Sequence, residues 1–220
     1  MLLTLSNLKA LRTEVVPQLI TQFEMNFSVK LAEESKTIRD VLGQIDSRLF
    51  QSYTKPTVEK LSSIIRAGIQ SPSWMPTTNK PSEVRPYVYD TLLVLVLLHT
   101  EVSTTAASLM SQILSYLLEQ VSVALLESFK QRKKFSLPAL MQATLDVEFV
   151  AQTLNQYTTD KASDTQSQIY LELDRGTDND ARMRLQNELP EMRATLKRLR
   201  ESTRSEFACF KKQRGQRERP

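Results

Sequence analysis

The side chains that most often carry catalysis or metal binding are scarce in this chain and badly spaced for it. There is one histidine, His99, and one cysteine, Cys209. A Ser-His-Asp triad or a Cys/His zinc site needs several such groups at set spacings. His99 lies inside an apolar run, and Glu101, two residues on, would point to another side of a helix. It reads as a core histidine with a hydrogen-bond partner; the alternative is a buried group sensitive to pH. Cys209 has no CxxC companion and sits between Phe207 and Phe210 in a basic stretch. Basic neighbours could lower its pKa and make it reactive, but an incidental, partly buried thiol is the plainer reading. A lone cysteine excludes an internal disulfide framework and fits a reducing compartment.

Other constellations fail on spacing. Gly43, Gly68, Gly176 and Gly215 are isolated, so no phosphate-cradling glycine loop can be written. The acidic patch Asp174, Asp178, Asp180 invites a calcium reading. An EF-hand loop starting at Asp174, however, puts Gly176 at its third position and Leu185 where a bidentate Glu belongs. A solvated turn and helix cap explain it better. Asp146 and Glu148, two apart on a helix, cannot converge on one substrate. These residues support no enzyme active site, metal, cofactor or small-molecule substrate.

Charge is the one electrostatic feature above background. The net charge is +4, yet residues 191–220 hold ten Lys or Arg against four acids, leaving the other 190 residues near neutral. Candidate contacts to an acidic partner or an anionic membrane are Arg198, Arg200, Arg204, Lys211, Lys212 and Arg214, set around an apolar seam. A solubilising tail is the plainest alternative. Nucleic acid fits poorly, because the only stacking groups at hand, Phe207 and Phe210, belong to the seam.

The elements that position these residues read as helices. The chain is 220 residues long with 40% hydrophobic residues and only four glycines, a folded composition unlike that of a turn-rich β protein. The longest unbroken apolar run, Leu92 to Leu98, is far short of the ~20 residues a bilayer span needs. The start, Met1-Leu2-Leu3, lacks a basic n-region, so no secretory signal is expected and the cytoplasm is the default.

Leu5, Leu8, Leu11, Val15 and Leu19 draw one helical face between about residues 2 and 27, with Pro17 kinking or restarting it. Ile38, Val41, Leu42, Ile45 and Leu49 form a second stripe. Thr54 and Pro56 read as the start of a third helix. Residues 71–82, with three prolines, form the best internal boundary, and Trp74 within them should dock. The run after Pro86 through LLVLVLL is apolar all round and should be the buried central helix. Stripes follow over 109–129 and 140–154, and a shorter helix over 160–173. Thr177 with Asp180 resembles a capping box opening a last, heptad-like helix that runs on through Phe207 and Phe210, kinked or restarted at Pro190. The expected fold class is all-α, about eight helices in elongated antiparallel bundles. The expected organisation is a helical segment over 1–70, a connector over 71–82, a C-terminal bundle over 83–210 and a disordered basic tail over 211–220.

Several segments together resemble the exocyst subunit family called Sec-five, or exocyst component two, in its C-terminal region. They are LTLSNLKAL (3–11), Leu49-Phe50-Gln51-Ser52-Tyr53, Gly68-Ile69 followed by Trp74, VRPYVYDTL (84–92), LHTEVST (98–104), MQATLDVEFVAQTLNQYTT (141–159) and ELPEMRATLKRLRE (188–201). The likeness is strongest to fungal members and spans residues 2–210. None of these segments is a catalytic signature; their order and number carry the resemblance. It implies a non-catalytic, cofactor-free rod of stacked helical bundles whose partners are other exocyst subunits. It further implies capture of secretory vesicles at the plasma membrane, from a cytoplasmic position at sites of polarised secretion. The chain is shorter than family members, and interactions made by their upstream rod and small-GTPase-binding domain do not carry over.

Overall fold

A computed structural model describes residues 1–76 and 78–211, and among them every regular element is helical. The helices are α1 (Leu2–Ala10), α2 (Val16–Phe27), α3 (Ala32–Gln70), α4 (Pro86–Thr105), α5 (Met110–Lys130), α6 (Leu137–Thr153), α7 (Asp160–Arg175) and α8 (Asn179–Ser202). The chain divides into two compact units. One comprises Met1–Thr57 with Thr100–Met110; the other comprises Val58–His99 with the described residues from Ser111 onward.

In the first unit, α1 leads through a π-helical turn, Leu11–Val15, into α2. Pro17 supplies the cause: it has no N–H for the preceding turn, and a widened turn ahead of it absorbs the missing bond. Ser28 ends α2 in the left-handed conformation at φ 52°. The Leu31 amide then donates to Glu24 Oε1 at 2.7 Å, and Arg12 pairs with Asp46 at 3.2 Å. These contacts fold the start of α3 back along α2. Two further bonds bring in residues 100–110: Tyr53 Oη donates to Glu101 Oε1 at 3.2 Å, and Lys9 Nζ donates to the Ser108 carbonyl at 2.9 Å.

The second unit holds the larger core. α6 lies at its centre, packed against α7 and α8 and buried on all sides from Ala139 to Val150 apart from Thr144 and Glu148. Two aromatic clusters flank it. Trp74, Phe129 and Phe135 meet edge to face at centroid distances of 5.9 to 6.5 Å. Tyr89, Phe149, Phe207 and Phe210 form the other, joined by His99 and Tyr157. Such pairs add about 0.5–1.5 kcal/mol each beyond area burial. Trp74 docks as expected: it is buried, and the Arg132 guanidinium lies 4.5 Å from its ring centroid. Gly68 lets the end of α3 approach α4, since a Cβ there would stand 2.3 Å from Tyr87 Cβ.

Several expectations give way. Thr54 and Pro56 do not start a helix; α3 runs unbroken through them for 39 residues. The Thr54 hydroxyl, buried, donates to the Phe50 carbonyl at 2.9 Å, so it is a mid-helix group bonded back along the chain and not a cap. α8 likewise continues through Pro190. Its N-cap is Asp178, whose carboxylate accepts from the Ala181 amide at 2.8 Å, while the Thr177 hydroxyl is turned back to the Leu173 carbonyl. The last helix stops at Ser202; Phe207 and Phe210 reach the core from a turn and a short 3₁₀ segment, Ala208–Phe210.

The central helix was misplaced too. In α4, Leu93 and Leu97 are 54% and 62% exposed. All-round apolarity therefore does not make α4 the centre; α6, with buried Gln142 and Asp146, occupies that position. Finally, Ala107–Lys130 is long and apolar enough to cross a bilayer by length and composition, although its serines, glutamines and acids break up any continuous run. Half of that window is buried, and Ile113, Leu117, Val121 and Leu125 are core residues of the second unit.

Candidate functional site

The candidate chemical groups are engaged in core packing, helix capping and surface pairing. Asp146 is fully buried, and its carboxylate accepts four hydrogen bonds. The donors are Gln142 Nε2 at 2.9 Å, the Arg85 amide at 3.0 Å, Tyr87 Oη at 3.1 Å and Trp74 Nε1 at 3.3 Å. Burial raises its pKa to about 6 even though all four donors favour the ionised form. The network ties the connector and the start of α4 to α6. Sequence reasoning passed it over because three of its four donors lie some sixty to seventy residues away; the available signal was one indole within the proline-rich stretch and one phenol just after it. Glu148 faces elsewhere and accepts from Tyr170 Oη and Gln152 Nε2. The two carboxylates do not converge.

His99 is half-buried, with its ring edge-on to Phe210 at 6.0 Å, and burial lowers its pKa. Among the described residues no hydrogen bond is made by its ring, so the expected hydrogen-bonded core histidine is instead part of an aromatic cluster. Burial raises the Cys209 thiol, opposite to the activation that basic neighbours could provide. Asp178 caps α8 and Asp180 pairs with Arg184 at 3.0 Å. Among the described residues no three His, Cys, Asp or Glu side chains are grouped to hold a metal.

Two surfaces remain. The first belongs to the first unit. Leu11, Val15, Leu19, Phe23 and Phe27 recur every four residues from the π turn to the end of α2, and all are exposed, Phe27 to 64%. A row at that spacing is a packing ridge. Phe23 and Phe27 contact each other at 4.6 Å between centroids. On α3, Ile38, Val41 and Ile45 are exposed as well. Twelve of the eighteen large apolar residues exposed among the described residues lie between Met1 and Ile45, so this is a concentration and not scattered surface apolarity.

The second surface is the basic face of α8. Arg198 is spent on the connector, donating to the Ser82 carbonyl at 2.9 Å. Arg200 donates to Gln152 Oε1 at 3.0 Å and to its carbonyl at 3.3 Å. Arg204 and Lys211 line a groove of about 350 Å³ with Arg193 and Lys197. Lys212 and Arg214 lie outside the described residues.

The family described as exocyst complex component Sec5 matches residues 1–210. The chain is 25% identical to human exocyst complex component 2 over 161 residues, 72% of this chain and 17% of that protein. It is 24% identical to the mouse protein of the same name over 164 residues, 74% of this chain and 18% of that protein. It thus spans less than a fifth of the length of these relatives. No solved structure matches it. Matched over nearly its whole length and helical in every described regular element, the chain belongs to the exocyst complex component Sec5 family.

Proposed function

We propose that this chain is a non-catalytic structural part of an exocyst subunit, one that helps tether secretory vesicles to the plasma membrane through contacts with other subunits. The observation that carries this reading is the open apolar ridge Leu11–Val15–Leu19–Phe23–Phe27 together with Ile38, Val41 and Ile45. Each side chain of this kind gains roughly 1.5–3 kcal/mol on full burial. A partner helix laid along the ridge would bury several at once, with the two phenylalanines as anchors. The two relatives are named as components of the exocyst complex, and a component that docks by helix faces needs no catalytic group.

The test is co-purification. The tagged 220-residue chain, expressed in a cell with its own exocyst, should recover other exocyst subunits. Leu19→Glu with Phe23→Glu should abolish that recovery with helix content by circular dichroism unchanged. Undiminished recovery by the double variant would remove the ridge from the interface.

A further inference from the structure

The groove along α8 has a cation row on one wall and an apolar slot as its continuation. Arg193, Lys197 and Arg200 follow one another at steps of four and three on α8, one helical face about 10 Å long, and Arg204 continues the row just past the helix end. Lys211 stands with them, against a single carboxylate, Glu201. Among the described residues only Arg200 of the five cations is bonded to protein, through Gln152, and the side chains of Arg193, Lys197, Arg204 and Lys211 make no ion pair or hydrogen bond. Arg193, Leu196 and Gln152 also line a neighbouring slot of about 230 Å³ between α6 and α8. Its other walls are Leu145, Leu189 and Met192 with Thr144 and Glu148, the carboxylate of which already accepts from Gln152 and Tyr170.

We propose that this seam binds an acidic amphipathic helix of a partner protein, with apolar residues in the slot and carboxylates along the cation row. The geometry separates this occupant from a membrane. A bilayer presents a flat sheet of charge and can use exposed lysines and arginines on a convex face; cations facing a groove beside a mostly apolar slot match a narrow rod with one charged and one apolar edge. Nucleic acid lacks a stacking platform, because Phe207 and Phe210 are buried in the core cluster. The inference rests on the second unit alone, so it stands or falls apart from the ridge of the first.

The probe is a synthetic helical peptide of about eighteen residues carrying leucines at i and i+4 and glutamates on the adjoining face. Its binding to the full chain is read by fluorescence anisotropy against a scrambled peptide of the same composition. Saturable binding, at least about tenfold tighter than that of the scrambled peptide, is expected. Arg193→Glu with Lys197→Glu should weaken it about tenfold or more, since each reversal turns an attraction into a repulsion. Leu189→Trp, which fills the slot without touching the charge, should weaken it similarly. Lys60→Glu with Arg66→Glu, the same change of net charge elsewhere in the second unit, should leave it unchanged. Equal binding of the scrambled peptide, or loss of binding in the Lys60/Arg66 control, would reduce the effect to general charge and overturn the proposal. So would absence of peptide binding, with or without binding to phosphatidylserine vesicles.

Discussion

The two units use apolar residues in opposite ways. In the second, helices surround α6, and large side chains such as Trp74, Phe129, Phe149 and Phe210 are fully buried. In the first, residues 1–57 bury only Leu2, Leu5 and Thr54, while a ridge of five large apolar groups stays open. Sequence periodicity is equally regular in both. The difference lies in the number of layers: a helix with neighbours on several sides can cover every apolar stripe, and one folded against a single neighbour cannot. An amphipathic stripe therefore identifies a surface that must be covered without saying whether its own chain covers it.

The comparison breaks most visibly with aromatic deletions. Trp74→Ala should cost the second unit roughly 3–5 kcal/mol, seen as a fall in thermal midpoint and faster amide exchange in α6. Phe23→Ala in the first unit should cost less than about 1 kcal/mol while weakening recovery of exocyst subunits. Equal losses would mean that the ridge is covered after all.

Glycine substitutions sharpen it further. Gly68→Ala places a methyl group 2.3 Å from Tyr87 Cβ, an atom that cannot swing away, and should destabilise by about 1–3 kcal/mol. Gly43→Ala in the first unit meets nothing within 4 Å and sits mid-helix, so it should stabilise by about 0.5–1 kcal/mol. Denaturant unfolding of both variants checks the opposite signs.

Acid should distinguish the second unit as well. The folded-state pKa of Asp146 is about 6 against an ordinary 3.8. Between those values the folded chain holds a proton that the unfolded chain has lost, so the contribution of Asp146 to stability is full below about pH 4 and is lost as pH rises through 6. Amide exchange in α6 should slow on going from pH 7 to 5 after correction for intrinsic rates, and Asp146→Asn should lose that dependence. The smallest effect is Ser28→Gly, which relieves a left-handed serine at φ 52° and should add up to about 1 kcal/mol to the first unit.

Much of the local structure was legible from residue types. Stripes at three- and four-residue spacing marked the helices, the prolines of 71–82 marked the break after α3, and the absence of spaced nucleophiles and ligands argued against a catalytic centre. Punctuation misled wherever long-range packing overrode it. Pro56 and Pro190 sit inside continuous helices, a cost of roughly 3 kcal/mol that contacts elsewhere along those helices must offset. The basic candidates were readable as a charge cluster, but the division between Arg198 and Arg200, bonded within the protein, and Arg204 and Lys211, which line the groove with no such bond among the described residues, depends on where α6 and the connector lie.

What the sequence by itself determined, then, is the helical class, the family, and the faces each helix must cover, because these follow from local periodicity and from ordered segments along one chain. Tertiary structure alone decided that α6 and not α4 is the centre. It also decided that Asp146 is a buried acceptor for three distant donors besides its helical neighbour Gln142, and that the stripe of α2 is left open. Burial and hydrogen bonding at those places are properties of neighbours brought from tens of residues away, and no local pattern encodes which neighbours arrive.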